Sequence, residues 1–163
     1  MDFSWASNLP PQLATFLLAM LPIAELRVSI PLAIEVLDLD IYQAFLFSVL
    51  GSFVPAILII FFIEPVAKFL RSNFKIFDKF FEWLFQRTRR RFADKYKIWG
   101  NLALMIFVAI PLPVTGVWTG SLAAWLFGIK RKEALFYIAM GTIIAGIIVS
   151  LVSVGFITIF SII

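Results

Sequence analysis

Apolar residues run along this chain in stretches of unequal length, and the interruptions carry the information. Leu13–Ala24 gives about 12 residues, or roughly 18 Å of helix, too short for a hydrocarbon core of about 30 Å. After an interruption, Ile30–Leu37 forms a second short arm, closed by Asp38-Leu39-Asp40. The simplest element is a hairpin that enters a membrane, turns at Glu25–Ser29 and leaves on the same side. Asn8 and the prolines at 10 and 11 mark its start. Ile41–Ile63, about 23 residues and roughly 34 Å, predicts a full span. Ser48, Ser52 and Ala56 on it form a row suited to close helix packing, and Pro55 predicts a kink. Leu102–Ile110 and Val117–Phe127 repeat the short-arm pattern, closed by Gly128-Ile129-Lys130-Arg131-Lys132. Ala134–Ile163, about 30 residues and roughly 45 Å, is the last span and must tilt or protrude.

The interruptions are Pro22-Ile23-Ala24-Glu25-Leu26-Arg27-Val28-Ser29-Ile30-Pro31 and Ala109-Ile110-Pro111-Leu112-Pro113-Val114-Thr115-Gly116-Val117-Trp118-Thr119-Gly120. Proline removes a backbone donor and glycine frees φ, so no helix passes through either stretch intact. In lipid, a broken backbone must find partners in protein or in a watery cavity. The two stretches align without a gap at an offset of 90 residues, which sets Leu32 on Leu122, Ala33 on Ala123, Ala44 on Ala134, Gly51 on Gly141, Ser52 on Thr142 and Ile57 on Ile147. Broken segments in corresponding positions of two halves are the sequence sign of an internal-repeat transporter.

Between the halves, Val66, Phe69, Leu70, Phe74, Phe77, Phe80, Phe81, Leu84 and Phe85 recur at three- and four-residue spacing, with Lys68, Arg71, Lys75 and Lys79 on the other face. That pattern predicts an amphipathic helix in the interface plane, extended by the basic run Gln86–Arg91 and held by anionic lipid rather than nucleic acid. All basic residues except Arg27 fall on one side of this arrangement, which the positive-inside rule makes the cytoplasm. Each half then holds one hairpin and one span, so the halves have opposite orientations and both termini lie outside. The expected fold is an all-α integral membrane protein: an inverted repeat of a re-entrant helical hairpin plus one transmembrane helix, joined by a cytoplasmic amphipathic helix. Residues 1–163 make one membrane domain, with repeat one at 10–63, the basic linker at 64–99 and repeat two at 100–163. No basic residue precedes the first apolar run, so no signal peptide is expected.

Composition agrees and excludes. The 163 residues are 62% hydrophobic, with a net charge of +4. Cysteine and histidine are both absent. That removes disulfides, thiolate chemistry, the commonest metal ligand and the commonest proton relay. With no paired carboxylates and no G-x-S-x-G elbow, no enzyme activity, metal or cofactor is expected.

The breaks carry the candidate chemistry. Each return arm starts near mid-membrane, at Ser29 or Ile30 before Pro31 and at Thr115, so two helix N-termini face each other and favour an anion. Arg27 adds a charged planar fork suited to phosphate or carboxylate. Placing Glu25 and Arg27 at depth costs roughly 2.5–3.5 kcal/mol each on the insertion scale. Either Arg27 holds an anionic headgroup while Glu25 exchanges a proton, or the two pair and pin the hairpin tip. Thr115 and Thr119 serve as ligands or satisfy broken backbone, and Trp118 stacks on a substrate or packs. The candidate substrate- and ion-binding residues are Glu25, Arg27, Ser29, Pro31, Pro111, Pro113, Thr115, Gly116, Trp118, Thr119 and Gly120. Glu35 and Glu64 sit at segment ends and read as solvated.

Glu25–Pro31 and Pro111–Gly120 resemble the two signature motifs of the small multidrug export protein family of bacteria and archaea. The resemblance covers nearly the whole chain. That family has glycine where this chain has Val28 and Val114, and alanine where it has Val117, so the substitutions narrow any cavity. The family is similar to the DedA/VTT superfamily, whose members carry two opposed re-entrant hairpins and are linked to flipping of lipid carriers such as undecaprenyl phosphate, with dependence on the proton-motive force. The resemblance implies that Glu25 and Arg27 match that superfamily's membrane-embedded acid and arginine in kind.

The expected function is a transporter in the inner membrane of a prokaryote, proton-coupled, for an anionic lipid carrier or small anion. The alternative is an exporter of lipophilic cationic drugs with Glu25 as the shared proton and drug site; a third reading is a scaffold without transport. The expected partners are the bilayer, the substrate, protons and a second copy in a homodimer, the last suggested by the Ser48/Ser52/Ala56 row.

Overall fold

A computed structural model describes residues 9–73, 97–111 and 116–162. Six helices and no strand are found among them: α1 (Pro11–Met20), α2 (Glu25–Glu35), α3 (Ile41–Asn73), α4 (Lys97–Ala109), α5 (Val117–Leu126) and α6 (Arg131–Ile162). The all-α class is as expected. Two helices, over Ile41–Asn73 and Arg131–Gly155, are long and apolar enough to cross a membrane. The other four have 10 to 13 residues.

Local chemistry sets the boundaries. Pro11 stands in the first turn of α1, where its missing N–H is harmless. Asp40 caps α3: its Oδ1 accepts from the backbone N–H of Tyr42 at 2.9 Å and of Gln43 at 3.0 Å. The return arms α2 and α5 stop before left-handed residues, Asp38 at φ 52° and Gly128 at φ 68°.

Two boundaries differ from expectation. The first turn lies at Leu21–Ala24, and α2 begins at Glu25 rather than at Ser29 or Ile30. Backbone bonds from Glu25 N to Leu21 O and from Val28 N to Ala24 O carry the coil through the turn, and Pro31, inside α2, forgoes only one helix bond. The first long helix does not stop at Ile63 but continues through Glu64 and Pro65 to Asn73, because the amphipathic pattern beyond it is also helical. The remainder of the predicted interfacial helix and the basic run Gln86–Arg91 fall at 74–96, outside the described residues. In the second half the return arm begins at Val117, after Gly116; Pro113 and Thr115 lie outside the described residues.

The two halves repeat in burial as well as in element order. Ala14, Leu18 and Ala19 of α1 are buried, as are Leu104, Val108 and Ala109 of α4, 90 residues on. In α3 and α6 the pairs Ala44/Ala134, Ser48/Ile138, Gly51/Gly141, Ser52/Thr142, Ala56/Gly146 and Ile60/Ser150 are all buried at the same offset of 90. The return arms depart from it. Leu26, Ser29, Ile30 and Ala33 match Val117, Gly120, Ser121 and Ala124, at an offset of 91. One more residue thus separates Ala109 from Gly116 than separates Ala19 from Glu25, and the chain recovers it directly after the arm. Leu39 N bonds Ala33 O, six positions back, where Ile129 N bonds Ala124 O, five back. The gapless pairings Leu32/Leu122 and Ala33/Ala123 are therefore corrected by one.

Each hairpin covers about half of its long helix. Gln12 donates to Gln43 at one end, and Ser52 Oγ donates to Ala19 O at 3.2 Å near the tip. On the way back Ser29 Oγ donates to Ser48 Oγ at 2.7 Å. In the second half Asn101 Nδ2 donates to Glu133 Oε2 at 3.0 Å, and Gly141 faces Met105 and Val108. The long helices cross antiparallel: Glu64 meets Arg131, Ala56 and Ile60 share a core with Ala134 and Ile138, and Phe45 and Val49 meet Gly146. The hairpins consequently enter from opposite ends of the α3/α6 pair. The Ser48/Ser52/Ala56 row is wholly buried against the chain's own elements, so it offers no surface for a homodimer.

A methyl group at Gly51 would land on the Phe16 carbonyl oxygen, and one at Gly141 would lie 2.6 Å from the Met105 carbonyl oxygen. Both glycines let a short helix touch a long one, and backbone cannot step aside. Gly51→Ala and Gly141→Ala should each destabilise by about 2–4 kcal/mol, read as a lowered thermal midpoint in detergent. Gly155→Ala, with open space around it, should be neutral or slightly stabilising, since alanine is the better helix former.

Candidate functional site

The tips of the hairpins meet where neither helix continues. Glu25 opens α2 with φ 43°, and Gly116 precedes α5 with φ 130°. The two are equivalent, 91 residues apart. A side chain is strained at either value, and only glycine tolerates the second. The Glu25 carboxylate lies directly over Gly116: a Cβ there would fall on Oε2 and 2.8 Å from Cδ. That carboxylate accepts the backbone N–H groups of Trp118 and Val117, the first residues of α5. Glu25 therefore caps, from the other hairpin, the helix start that sequence reasoning assigned to a foreign anion. Trp118 returns the contact, its indole Nε1 donating to the carbonyl of Met20, the last residue of α1, at 3.2 Å. Orphan groups of one break are thus satisfied by the other.

Arg27 stands beside this junction. Its Nη2 is 3.9 Å from Glu25 Oε2, with side-chain exposures of 20% and 6%. The distance suits a charge interaction in a poorly hydrated place more than a tight hydrogen bond. Arg27, Pro31 and Glu35 follow at four-residue spacing on one face of α2 and line a cleft of about 370 Å³. Pro111 and, from α6, Ile148, Val149, Val152 and Ser153 supply the rest of its wall.

The structure brings Glu25, Arg27, Pro31, Pro111, Gly116 and Trp118 together at the junction or on the cleft. Ser29 is turned away, buried against Ser48. Thr119 Oγ1 lies 3.5 Å from Gly116 O, on its own helix turn. Gly120 lets α5 approach α4, where a Cβ would lie 2.6 Å from Val108. Sequence reasoning missed Glu35 and Ser153. The spacing of 27, 31 and 35 was available as a signal, but only for a helix already under way at Glu25. Glu64 is solvated, as expected, and also paired: Arg131 Nη2 donates to its Oε2 at 2.7 Å and Lys68 Nζ lies 3.0 Å from Oε1. Among the described residues no group of three His, Cys, Asp or Glu could hold a metal ion.

Comparison with curated proteins and with solved structures finds no match. A family model does match, over residues 25–148, from the capping glutamate to the far wall of the cleft. Since that stretch covers more than half of the chain, including the second break and most of the two long apolar helices, the chain belongs to the family described as putative small multi-drug export protein, a name that points to export across a membrane.

Proposed function

We propose that the protein is a proton-coupled transporter of an anion or of an amphiphile with an anionic head, in the inner membrane of a prokaryote. In this reading the hairpins are re-entrant, the repeat is inverted, and the junction of their tips lies at mid-membrane. Each hairpin covering only half of its long helix supports the first two points. Lys68, Arg71, Lys130, Arg131 and Lys132 gather at the Glu64–Arg131 end, which the positive-inside rule places in the cytoplasm, with both termini outside.

One observation carries the proposal: a buried carboxylate joins the two hairpins, and a guanidinium beside it faces a cleft. A negative Glu25 holds the start of α5; a protonated Glu25 holds it more weakly. Proton uptake would loosen the junction, and an anion at Arg27 would compete with Glu25 for the same positive groups. That is a direct route to coupling of anion and proton. The export of lipophilic cations is less favoured, because Arg27 and two N–H groups already offset the charge of Glu25.

The test is flux in proteoliposomes under an imposed pH gradient, with polyprenyl phosphate and a cationic dye as separate substrates. Anion flux should fall by about 10–100-fold in Arg27→Ala, the scale of losing a charge-assisted pair. Anion flux unchanged in that variant, or dye flux alone, would overturn the proposal.

A further inference from the structure

The repeat gives every wall residue of the cleft a counterpart. At an offset of 91, Arg27 corresponds to Trp118, Pro31 to Leu122 and Glu35 to Leu126; at 90, Pro111 corresponds to Leu21, Ile148 to Leu58 and Ser153 to Ile63. Every charged or hydroxyl-bearing wall residue is matched by an apolar one. Backbone symmetry and chemical symmetry therefore part company. The halves fold alike, yet only one of two equivalent places bears groups that water would solvate.

A second difference lies in the same stretch of α6. Ser150, which follows the cleft-lining Val149 in sequence but does not itself line the cleft, is 6% exposed, and its hydroxyl has no hydrogen-bond partner among the described residues. Thr142 and Ser153 on the same helix donate to the carbonyl four residues back; Ser150 does not. Its counterpart is Ile60, which needs no partner. A buried hydroxyl left unmade is unfavourable unless water reaches it.

Direction follows from packing. Arg27 lies at the tip junction and Glu35 about 12 Å further along α2, toward the start of α3. Because α3 and α6 are antiparallel, Ser153 lies at that same end, away from the Glu64–Arg131 pair.

We infer that the cleft is a one-sided aqueous half-channel, which admits water-borne anions to Arg27 from the end opposite Arg131, with no matching path from the other end. Its placement across a bilayer rests on the transport reading above; its one-sidedness does not. The polar wall recruits water, Arg27 at the floor concentrates anions, and the leucines and isoleucines of the equivalent place face lipid tails.

The chain has no cysteine, so single-cysteine variants label at one position. Ile148→Cys and Pro111→Cys probe the cleft, Leu58→Cys and Leu21→Cys the equivalent place, and Lys132→Cys reports the opposite end. Each is treated in sealed vesicles, from either face, with membrane-impermeant anionic and cationic methanethiosulfonates of similar size. The two cleft variants should react only from the face that leaves Lys132→Cys unlabelled. Arg27 and Glu35 carry opposite charges on the same wall, so the diagnostic is the change on substitution: Arg27→Gln should lower the ratio of anionic to cationic labelling rates there by about tenfold, the lower range for a local charge effect. The Leu58 and Leu21 variants should be about tenfold slower from either face. Equal labelling of the two places, labelling of the cleft from the Lys132 face, or no labelling of the cleft overturns the inference; so does a ratio of anionic to cationic rates that is unchanged in Arg27→Gln. Val152→Cys, also on the cleft wall, replaces Pro111→Cys if that variant does not fold. One-sided labelling in a protein without flux sinks the transport reading alone, and Arg27-dependent flux with two-sided labelling sinks the half-channel alone.

Discussion

Gly116→Val should unseat the hairpin junction and lower stability by about 3–5 kcal/mol, enough to remove most folded protein from a marginally stable chain. Two effects add. A β-branched residue at φ 130° is in a region only glycine adopts readily, and its Cβ would occupy the place of the Glu25 carboxylate. The carboxylate would have to leave the N–H groups of Val117 and Trp118, exposing buried donors. Gly128→Ala separates the effects: φ is 68° there, but nothing lies within 4 Å, so about 1 kcal/mol is expected. The measurement is the thermal midpoint of the purified protein in one detergent, with folded yield as a second readout. Equal midpoints for the Gly116 and Gly128 variants would refute the claim that Glu25 seals the tip.

Replacing Glu25 should divide structure from transport. Glu25→Ala removes both acceptor oxygens, leaves the start of α5 uncapped and leaves Arg27 without its neighbour, so a loss of about 2–4 kcal/mol is expected. Glu25→Gln keeps one acceptor oxygen in the same space and should lose no more than about half of that. The glutamine cannot change charge, however. Proton-driven flux should be abolished in both variants, while a folded, thermally competent protein survives only in Glu25→Gln. Full flux in Glu25→Gln would mean that the coupled proton is carried elsewhere.

The legible parts of the fold were those written in runs and interruptions. Proline pairs at 22/31 and 111/113 announced two breaks, and the lengths of the four apolar arms announced hairpins shorter than the long helices. The 90-residue register of Gly51/Gly141 and Ser52/Thr142 survives in the fold; at the glycines the reason is that a Cβ would strike the backbone of the short helix crossing there. The one-residue slip of the return arms was not visible, since a slip inside a proline- and glycine-rich loop leaves no trace in an apolar pattern. Helix starts were misread for a related reason. Pro31 looked like the first turn of α2, but bonds through Leu21–Ala24 had already nucleated it. At the site, Glu25 and Arg27 stood out because charge is rare in apolar surroundings. Their partners did not. The contact with Gly116 is a long-range backbone interaction with no side-chain signature, and Glu35 looked like an ordinary terminal acid until the start of α2 fixed which face it shares with Arg27.

The equivalence of Glu25 and Gly116 bears on how such a chain could arise. Two identical copies of the first half, docked as these halves are, would set one glutamate against another, and neither carboxylate would find room or a helix start to hold. Two like halves therefore could not form this seal. It needs an acid on one tip and, at the matching place on the other, a residue with no side chain.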